Sequence, residues 1–347
     1  MHSFPSLAQL GWRPFFQQQL SLEELEQWQV GRVVEQHRNG IVVANDAGLH
    51  QVLLGQGNDT VCVGDWVLFD SALRLQRGLA RLSLFQRKAP GSKVSQQLIA
   101  ANVDSLFIVC SLNHDFNLSR IERYLALAKE ASVEPIVVLT KADLCPNVDD
   151  LYQQVQQLDP LLMIHAVNAL AVDTLAVLET YCKSGKTVAL LGSSGVGKST
   201  LVNSLLGQAE QQTGGIREDD SKGRHTTTHR ALKWLPQGAM LMDTPGMREL
   251  QLSDCEQGVN ATFSEISELV KQCRFSDCSH QNEPGCAVQA ALAAGAIDER
   301  RWHSYQKLLR EQANNAASLA QKRAKDKAFG KMVNKVQKSS RQLKKGY

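Results

Sequence analysis

A glycine-rich loop between a strand and a helix constrains the fold of this chain more than any other feature. Residues 192–199 read G-S-S-G-V-G-K-S and match the pattern G-x-x-x-x-G-K-[ST] at every position. The apolar run 188–191 predicts a buried strand before the loop, and residues 200–206 predict a helix after it. A turn that matched this pattern by accident would not need a strand before it and a helix after it. We therefore expect the loop to belong to a parallel α/β sheet.

Such a loop has a defined chemistry. Its glycines let successive backbone N–H groups point at phosphate oxygens, and the following helix N-terminus favours negative charge. Lys198 supplies a mobile cation for the β- and γ-phosphates and is a candidate catalytic residue, while the Ser199 hydroxyl is a candidate Mg²⁺ ligand. The predicted nucleotide-binding residues of this loop are Gly192, Ser193, Ser194, Gly195, Val196, Gly197, Lys198, Ser199 and Thr200.

Alternating apolar runs and helical patterns extend this sheet. Continuous apolar runs predict strands at 106–110, 135–139, 161–167 and 187–191. Helical patterns separate them at 118–129, 149–158 and 172–181. A parallel sheet places the loops that follow its strands at one edge, so motifs after these strands should share a site.

Two further motifs follow predicted strands and indicate which nucleotide is bound. Thr140, Lys141, Ala142 and Asp143 resemble the guanine-reading motif N-K-x-D, with threonine in the first position. The Asp143 carboxylate can accept hydrogen bonds from both N1–H and the exocyclic amine of guanine, a donor pair that adenine lacks. The alternative for this segment alone is an ordinary turn at the start of a helix.

A strand that ends in D-x-x-G supplies the second motif, in which Asp243 can hold Mg²⁺ through water and the N–H of Gly246 can meet the γ-phosphate. After the strand at 161–167, Asn168 and Ala169 match only weakly the S-A-type loop that touches the base in GTPases. The guanine motif precedes the phosphate loop and D-x-x-G comes last, which is a circular permutation of the usual GTPase order. The segments that sense the nucleotide therefore lead directly into the C-terminal region.

The two ends of the chain predict separate domains. Short β-branched runs with glycine-containing turns at 30–34, 40–44, 50–54 and 65–69 indicate a small barrel, for which an OB type is plausible. Beyond residue 251 the patterns at 263–272, 287–294 and 297–321 are helical. We predict an N-terminal OB-fold domain at 1–90, a permuted GTPase domain at 91–252, a helical domain at 253–321 that contains the cysteine and histidine cluster described next, and a basic tail at 322–347.

A cysteine and histidine cluster marks the helical domain. Cys273, Cys278, His280 and Cys286 follow the spacing C-x4-C-x-H-x5-C, and three thiolates with one imidazole complete a closed tetrahedral Zn²⁺ site. No ligand position remains for water, so one structural zinc ion per chain is expected. A reduced, metal-free cluster and a catalytic zinc site are the alternatives.

Charge is distributed unevenly along the 347 residues. Residues 301–347 hold 13 basic residues and two acidic ones, whereas the whole chain carries a formal charge of only +3. A basic tail on an acidic body favours contact with a polyanion such as nucleic acid, although a solvated tail is the simpler alternative. No apolar run of 18 residues and no signal peptide are visible, so we expect a cytoplasmic protein without membrane contact.

Taken together, these residues resemble the RsgA (YjeQ) family of bacterial GTPases that depend on the small ribosomal subunit. The resemblance covers nearly the whole length and the permuted motif order. It also rests on the segments VGDWV at 63–67, ANVD at 101–104, GRHTTT at 223–228, DTPGMR at 243–248 and EPGCAV at 283–288. It implies an OB barrel, a permuted GTPase domain and a zinc-bearing helical domain. It further implies a GTPase, expected to be monomeric, that binds the subunit and its rRNA during late maturation.

Met247 stands where many GTPases place a glutamine that orients the attacking water, and methionine cannot do so. His225 is the best internal candidate for this role, which its family counterparts are thought to play; a structural histidine or an RNA contact is the alternative. One of Thr226, Thr227 and Thr228 should give the second protein ligand to Mg²⁺. Two other functions stay open: an RNA-binding module with a nearly inert nucleotide site, and a P-loop kinase or ATPase, against which Asp143 argues.

Overall fold

The N-terminal strands form a small antiparallel barrel in the computed structural model, which describes residues 4–37, 40–55, 61–88, 96–207, 230–243 and 255–316. They pair in the order β5-β4-β1-β2-β3, and a parallel bridge between Leu53 and Arg74 joins the two edges. This closed five-stranded arrangement confirms the predicted barrel. The strands are β1 (Gln29–His37), β2 (Gly40–Asn45), β3 (Gly48–Val52), β4 (Trp66–Phe69) and β5 (Leu75–Gly78).

Several short elements around the barrel were not predicted from the sequence. Ser21 and Glu24 form a reciprocal capping box at the start of the second of two short helices. A hairpin of two strands then leads into the central sheet. These elements are α1 (Pro14–Gln17), α2 (Leu22–Gln27), β6 (Leu84–Lys88) and β7 (Gln96–Ala101).

The central sheet confirms the predicted α/β domain. Its strand order is β10-β9-β8-β11-β13-β12, with only β12 antiparallel to its neighbour in this group. All seven residues of β8 are buried, as a strand covered on both faces requires. The strands are β8 (Ser105–Ser111), β9 (Glu134–Thr140), β10 (Met163–Ala166), β11 (Thr187–Leu191), β12 (Arg230–Trp234) and β13 (Met240–Asp243).

Helices cover both faces of this sheet. Leu106 and Ile108 of β8 face the core beneath α3 and α4, whereas Phe107 and Val109 face the core beneath α5 and α6. This alternation is the period of two expected for a strand. The helices are α3 (Leu118–Glu130), α4 (Val148–Gln156), α5 (Val172–Glu179) and α6 (Lys198–Leu206). The last of these starts two residues earlier than the sequence pattern indicated.

The barrel and the central sheet are continuous. Strand β1 pairs antiparallel with β12 through Glu35 opposite Ala231 and Gln36 opposite Arg230, so one sheet runs through both domains. Arg32 of β1 is fully buried and donates hydrogen bonds to the carbonyl oxygens of Leu10, Gly64 and Asn102, at 2.7, 3.2 and 2.9 Å. Burial lowers the pKa of Arg32 to about 10. The seam is therefore held by backbone pairing and by one satisfied buried cation.

The described part of the C-terminal region, 255–316, contains helices and loops but no strand, as predicted. It contains α7 (Glu256–Thr262), α8 (Ser264–Lys271), α9 (Ala287–Ala293) and α10 (Glu299–Ala316). Helix α7, which the sequence patterns missed, packs on α3 so closely that a Cβ at Gly258 would lie 2.1 Å from the Ala126 carbonyl oxygen. Among the helices in the described ranges, none combines the length and the apolar character needed to cross a membrane.

Candidate nucleotide site and metal centre

The phosphate loop connects the end of β11 to the first turn of α6. Gly192 lies where a Cβ would be 2.3 Å from the carbonyl oxygen of Val109, so the loop can approach β8 only without a side chain. Gly195 and Gly197 have φ angles of 77° and 94°, a region that other residues rarely adopt. The glycines thus permit both the close approach and the sharp turn that open the helix N-terminus toward a ligand.

Lys198 folds back over this loop. Its Nζ donates a hydrogen bond of 2.7 Å to the Gly192 carbonyl oxygen and another to the carbonyl of Ser193. Ser199 and Thr200 follow in the first turn of α6 and are partly exposed. The ammonium group therefore lies at the loop carbonyls, from where it can exchange these oxygens for those of a phosphate.

Two residues at the end of β9 join the guanine-type motif to the phosphate loop. Thr140 is buried, and its Oγ1 donates to the Val196 carbonyl oxygen across 2.6 Å. Lys141 has a left-handed φ of 60°, and its Nζ donates to the Gly195 carbonyl oxygen across 3.0 Å. A threonine hydroxyl offers one donor where the asparagine of N-K-x-D offers two. Thr140 therefore anchors the phosphate loop through one hydrogen bond, and Lys141 adds a second.

Asp143 lies in a single turn of 3-10 helix over Ala142–Leu144 and is exposed. Within the described ranges its carboxylate makes neither a hydrogen bond nor an ion pair, so it is available to a ligand. The N–H of Ala142 donates to the Val167 carbonyl oxygen across 3.3 Å. Ser204 of α6 donates to the Ala169 carbonyl oxygen across 2.7 Å. The loops after β9, β10 and β11 therefore meet at one edge of the sheet.

The other predicted nucleotide residues lie at or beyond the ends of the described ranges. Asp243 is the last residue of β13, where it stands opposite Ala231 of β12. Outside the described residues lie Gly246, Met247, His225, Thr226, Thr227 and Thr228, as well as the basic tail at 322–347.

Sequence reasoning missed one cation beside the phosphate loop. Arg120 of α3 donates from Nη1 to Ser193 Oγ across 2.5 Å and to Asp115 Oδ2 across 2.7 Å. Its hydrogen bond with Asp115 raises the pKa of Arg120. The only signal in the sequence was the segment 113–117, in which four of five residues are polar. It follows β8, the strand that pairs with β11 in the sheet.

The four predicted metal ligands come together in the C-terminal region. The candidate ligand atoms of Cys273, Cys278, His280 and Cys286 all lie within 4.8 Å of one another. The Sγ atoms of Cys273 and Cys286 are 3.9 Å apart, and His280 Nδ1 lies 3.5 and 3.6 Å from them. Around a tetrahedral ion with zinc bond lengths, two sulfurs would be about 3.8 Å apart and a sulfur and a nitrogen about 3.6 Å apart. The cluster therefore fits a tetrahedral metal ion.

Hydrogen bonds around this cluster hold the ligand loop in shape. The N–H of Gln289 donates to Cys286 Sγ across 3.4 Å, and Gln289 Nε2 donates to the His280 carbonyl oxygen across 2.7 Å. The Glu283 carboxylate accepts from the Ser279 hydroxyl and from backbone N–H groups on either side of His280. These bonds lower the pKa of Glu283 to about 2. The His280 ring stands edge-on to Trp302 of α10, with centroids 5.6 Å apart.

A buried carboxylate joins this region to α3. Glu122 is fully buried and accepts hydrogen bonds from Arg300 at 3.0 and 3.1 Å and from Arg301 at 3.1 Å. Next to it, Arg123 Nη2 lies 2.7 Å from Glu311 Oε1 of α10. The helix that reaches the phosphate loop through Arg120 thus also holds the C-terminal helices.

Comparison with protein families gives matches that include this loop. A family model described as RsgA GTPase matches residues 79–253, half of the chain. A model of ABC transporters matches residues 175–336. That second range contains the phosphate loop but not the segment 140–143, so it does not include the guanine-type motif.

Individual relatives extend the likeness over nearly the whole chain. The Small ribosomal subunit biogenesis GTPase RsgA 2 of Vibrio parahaemolyticus is 58% identical over 98% of this chain and 95% of its own. The Small ribosomal subunit biogenesis GTPase RsgA of Mesorhizobium japonicum is 46% identical over 90% of this chain and 92% of its own. The crystal structure of YjeQ from Thermotoga maritima superposes with a TM-score of 0.60 at 28% identity, covering 82% of this chain and 98% of that one. The fold also matches YloQ, a circularly permuted GTPase, with a TM-score of 0.58 at 21% identity.

Proposed function

Because the chain belongs to the RsgA family of small ribosomal subunit biogenesis GTPases, we propose that it binds GTP where the loops after β9, β10 and β11 meet. It hydrolyses GTP to GDP and phosphate, and binding to the small subunit stimulates this reaction. The observation that carries the proposal is the 2.6 Å hydrogen bond from Thr140 to Val196. This bond joins the guanine-type motif after β9 to the phosphate loop after β11, two motifs whose order along the chain is the reverse of that in an ordinary GTPase.

Each predicted residue has a role in this site. Asp143 accepts from N1–H and the exocyclic amine of guanine. Lys198 contacts the β- and γ-phosphates, with N–H groups of residues 192–200 around them. Ser199 ligates Mg²⁺ together with one of the threonines at 226–228, and Asp243 holds the ion through water. Gly246 meets the γ-phosphate, and His225 orients the attacking water in place of the missing glutamine.

The cysteine and histidine cluster holds one zinc ion with a structural role. Three thiolates and an imidazole are the donor set of structural zinc sites, and four protein ligands leave no position for water. The ion fixes the loop between α8 and α9, and through His280 and Trp302 it fixes that loop against α10.

The small ribosomal subunit is the partner, and the protein acts on it as a cytoplasmic monomer. The barrel and the basic tail at 322–347 contact its rRNA, and the excess of Lys and Arg in the tail favours phosphate contacts. A GTPase whose Met247 cannot orient water should turn over slowly until this partner is bound.

The decisive experiment measures GTP hydrolysis by the full chain alone, with purified small subunits and with large subunits as the control. We expect acceleration by small subunits only. In parallel, Asp143→Asn should shift preference from GTP toward xanthosine triphosphate, because the amide presents a donor where guanine needs an acceptor. Hydrolysis that small subunits leave unchanged would instead support an RNA-binding module with a nearly inert site. Unchanged base preference in Asp143→Asn would refute the role given to Asp143.

A further inference from the structure

The first turn of α3 brings a second cation to the phosphate loop. Asn117 caps this helix by accepting from the N–H of Arg120, which fixes the residue at the helix start. The Arg120 side chain is about one third exposed, with 33% of its surface accessible. Its three hydrogen bonds within the described part of the chain all come from Nη1, to Ser193 and to Asp115. The Nε and Nη2 donors therefore remain for a ligand.

Lys198 and Arg120 converge on the same residue of the loop. The lysine donates to the Ser193 carbonyl oxygen, and the arginine donates to its hydroxyl oxygen. In loops of this pattern the lysine reaches the β- and γ-phosphates, so Ser193 marks the phosphate end of the site. The base end lies elsewhere, at Asp143 and beside Lys141, which contacts Gly195.

The loop that carries Asp115 holds Arg120 in this position. Asn113 accepts from the hydroxyl of Ser111 at the end of β8 and from the N–H of Asp115, at 2.8 and 3.0 Å. Asp115 then accepts from Arg120 across 2.7 Å. The guanidinium is thus oriented by a chain of hydrogen bonds that starts on a strand next to β11, and its orientation does not depend on a long flexible side chain alone.

We propose that Arg120 is an arginine of the GTP site that contacts the terminal phosphate, exchanging the Ser193 hydroxyl for a phosphate oxygen. This inference rests on the proposed GTPase function. In hydrolysis the water oxygen bonds to the γ-phosphorus, the bond between that phosphorus and the GDP oxygen breaks, and both water protons end on the released phosphate. An arginine in the same chain can stabilise the charge that spreads over the γ-phosphate oxygens in that transition state. Such a cation complements a site in which Met247 replaces the usual glutamine.

The competing explanation is that Arg120 only pins α3 to the phosphate loop. In that structural role Arg120 would support the loop whichever nucleotide is bound, so its loss would weaken GDP binding and GTP binding together. A contact to the terminal phosphate is absent in the GDP complex. Loss of this contact should therefore weaken the binding of GTP but not of GDP. Binding measurements detect this difference without an assay of hydrolysis.

The experiment titrates the full chain with GDP and with a non-hydrolysable GTP analogue, in the presence of Mg²⁺. For Arg120→Ala we expect the affinity for the analogue to fall by about 10- to 100-fold, the effect of losing a charged hydrogen bond. The affinity for GDP should stay at the wild-type value. Arg120→Lys should lie between wild type and Arg120→Ala, because lysine keeps the charge but not the fork of donors.

Arg123→Ala is the matched control, because it removes the same charge from the same helix at a side chain that contacts Glu311 instead. It should leave both affinities unchanged. Equal losses for GDP and the analogue in Arg120→Ala and Arg120→Lys, or no loss for either nucleotide, would overturn the proposal. A wild-type chain that bound neither nucleotide would refute the proposed function itself, which separates the two failures. Should Arg120→Ala fail to fold, the ratio of the two affinities in Arg120→Lys decides.

Discussion

Replacing Glu122 with glutamine should loosen the C-terminal helices from the central domain. The Glu122 carboxylate has 0% of its surface exposed and accepts three hydrogen bonds from Arg300 and Arg301. Arg301 also donates to the Thr262 carbonyl oxygen across 2.9 Å and lies 4.9 Å from the Phe263 ring centre. The substitution keeps the size of the side chain but leaves two guanidinium groups facing a neutral amide.

The size of the effect follows from the exposure of the partners. Removing one partner of a buried ion pair costs about 3–5 kcal/mol, because the other charge stays buried and uncompensated. Here Arg300 is 34% exposed, and Arg301, at 12%, keeps a second carboxylate in Glu265. The loss should therefore lie near the lower limit, at about 3 kcal/mol. Glu268→Gln is the control, since its pair with Lys271 is 64% and 69% exposed and should contribute about 0–0.5 kcal/mol.

Amide hydrogen exchange on the full chain is the suitable assay, because separate domains need not unfold in one step. A loss of about 3 kcal/mol corresponds to roughly 100-fold faster exchange in α7 and α10, with the barrel strands as internal reference. The double variant Glu122→Gln/Arg301→Met should lose less than the sum of the single variants, because the two groups interact directly. Exchange in Glu122→Gln no faster than in Glu268→Gln would refute this reasoning, as would acceleration confined to the barrel.

Two further substitutions test the metal centre and the loop anchor. Cys278→Ala should reduce bound zinc from about one ion per chain to none and lower the melting temperature, because structural zinc contributes directly to folding. Metal analysis and thermal unfolding check this, and a metal-free wild-type chain with unaltered melting would contradict it. Thr140→Val should remove the hydrogen bond to Val196 and weaken the binding of GDP and of GTP alike by about tenfold, the effect of one lost hydrogen bond. Thr140→Ser is the control and should keep most of the affinity. Unchanged nucleotide affinity in Thr140→Val would show that this hydrogen bond is dispensable.

The phosphate loop between a strand and a helix, and the clustering of the Cys and His residues, could be predicted because both depend on short windows of the chain. The phosphate loop carries its requirements within eight residues, because its glycines, its lysine and its flanking strand and helix are all local. The cysteine and histidine cluster is local in the same sense, since its ligands span Cys273 to Cys286. Buried strands such as β8 were also predictable, because a strand covered on both faces must be continuously apolar.

The features that the sequence did not predict depend on which elements become neighbours. The pairing of β1 with β12 joins residues almost 200 positions apart, and the sequence of neither strand indicates which strand it pairs with. Glu122 and Arg120 lie on a helix whose charged residues would ordinarily face solvent. Their roles follow only once α3 is placed beside the phosphate loop and beneath α10. The local sequence pattern shows which side chains a helix carries, but only the tertiary packing determines which residues they contact.

Helix α3 physically connects the candidate nucleotide site to the helices of the C-terminal region. Arg120, Glu122 and Arg123 stand within one turn of it, the first at the phosphate loop and the other two at α10. The backbone of α7 at Gly258 lies so close to the Ala126 carbonyl oxygen of α3 that no side chain fits between the two helices. Because a packed helix moves as a rigid unit, we expect any displacement of its first turn that follows when Arg120 changes partner to reach α7 and α10. We therefore expect nucleotide state to affect the C-terminal helices through α3, in addition to the connection along the chain after β13 that the permuted motif order predicts.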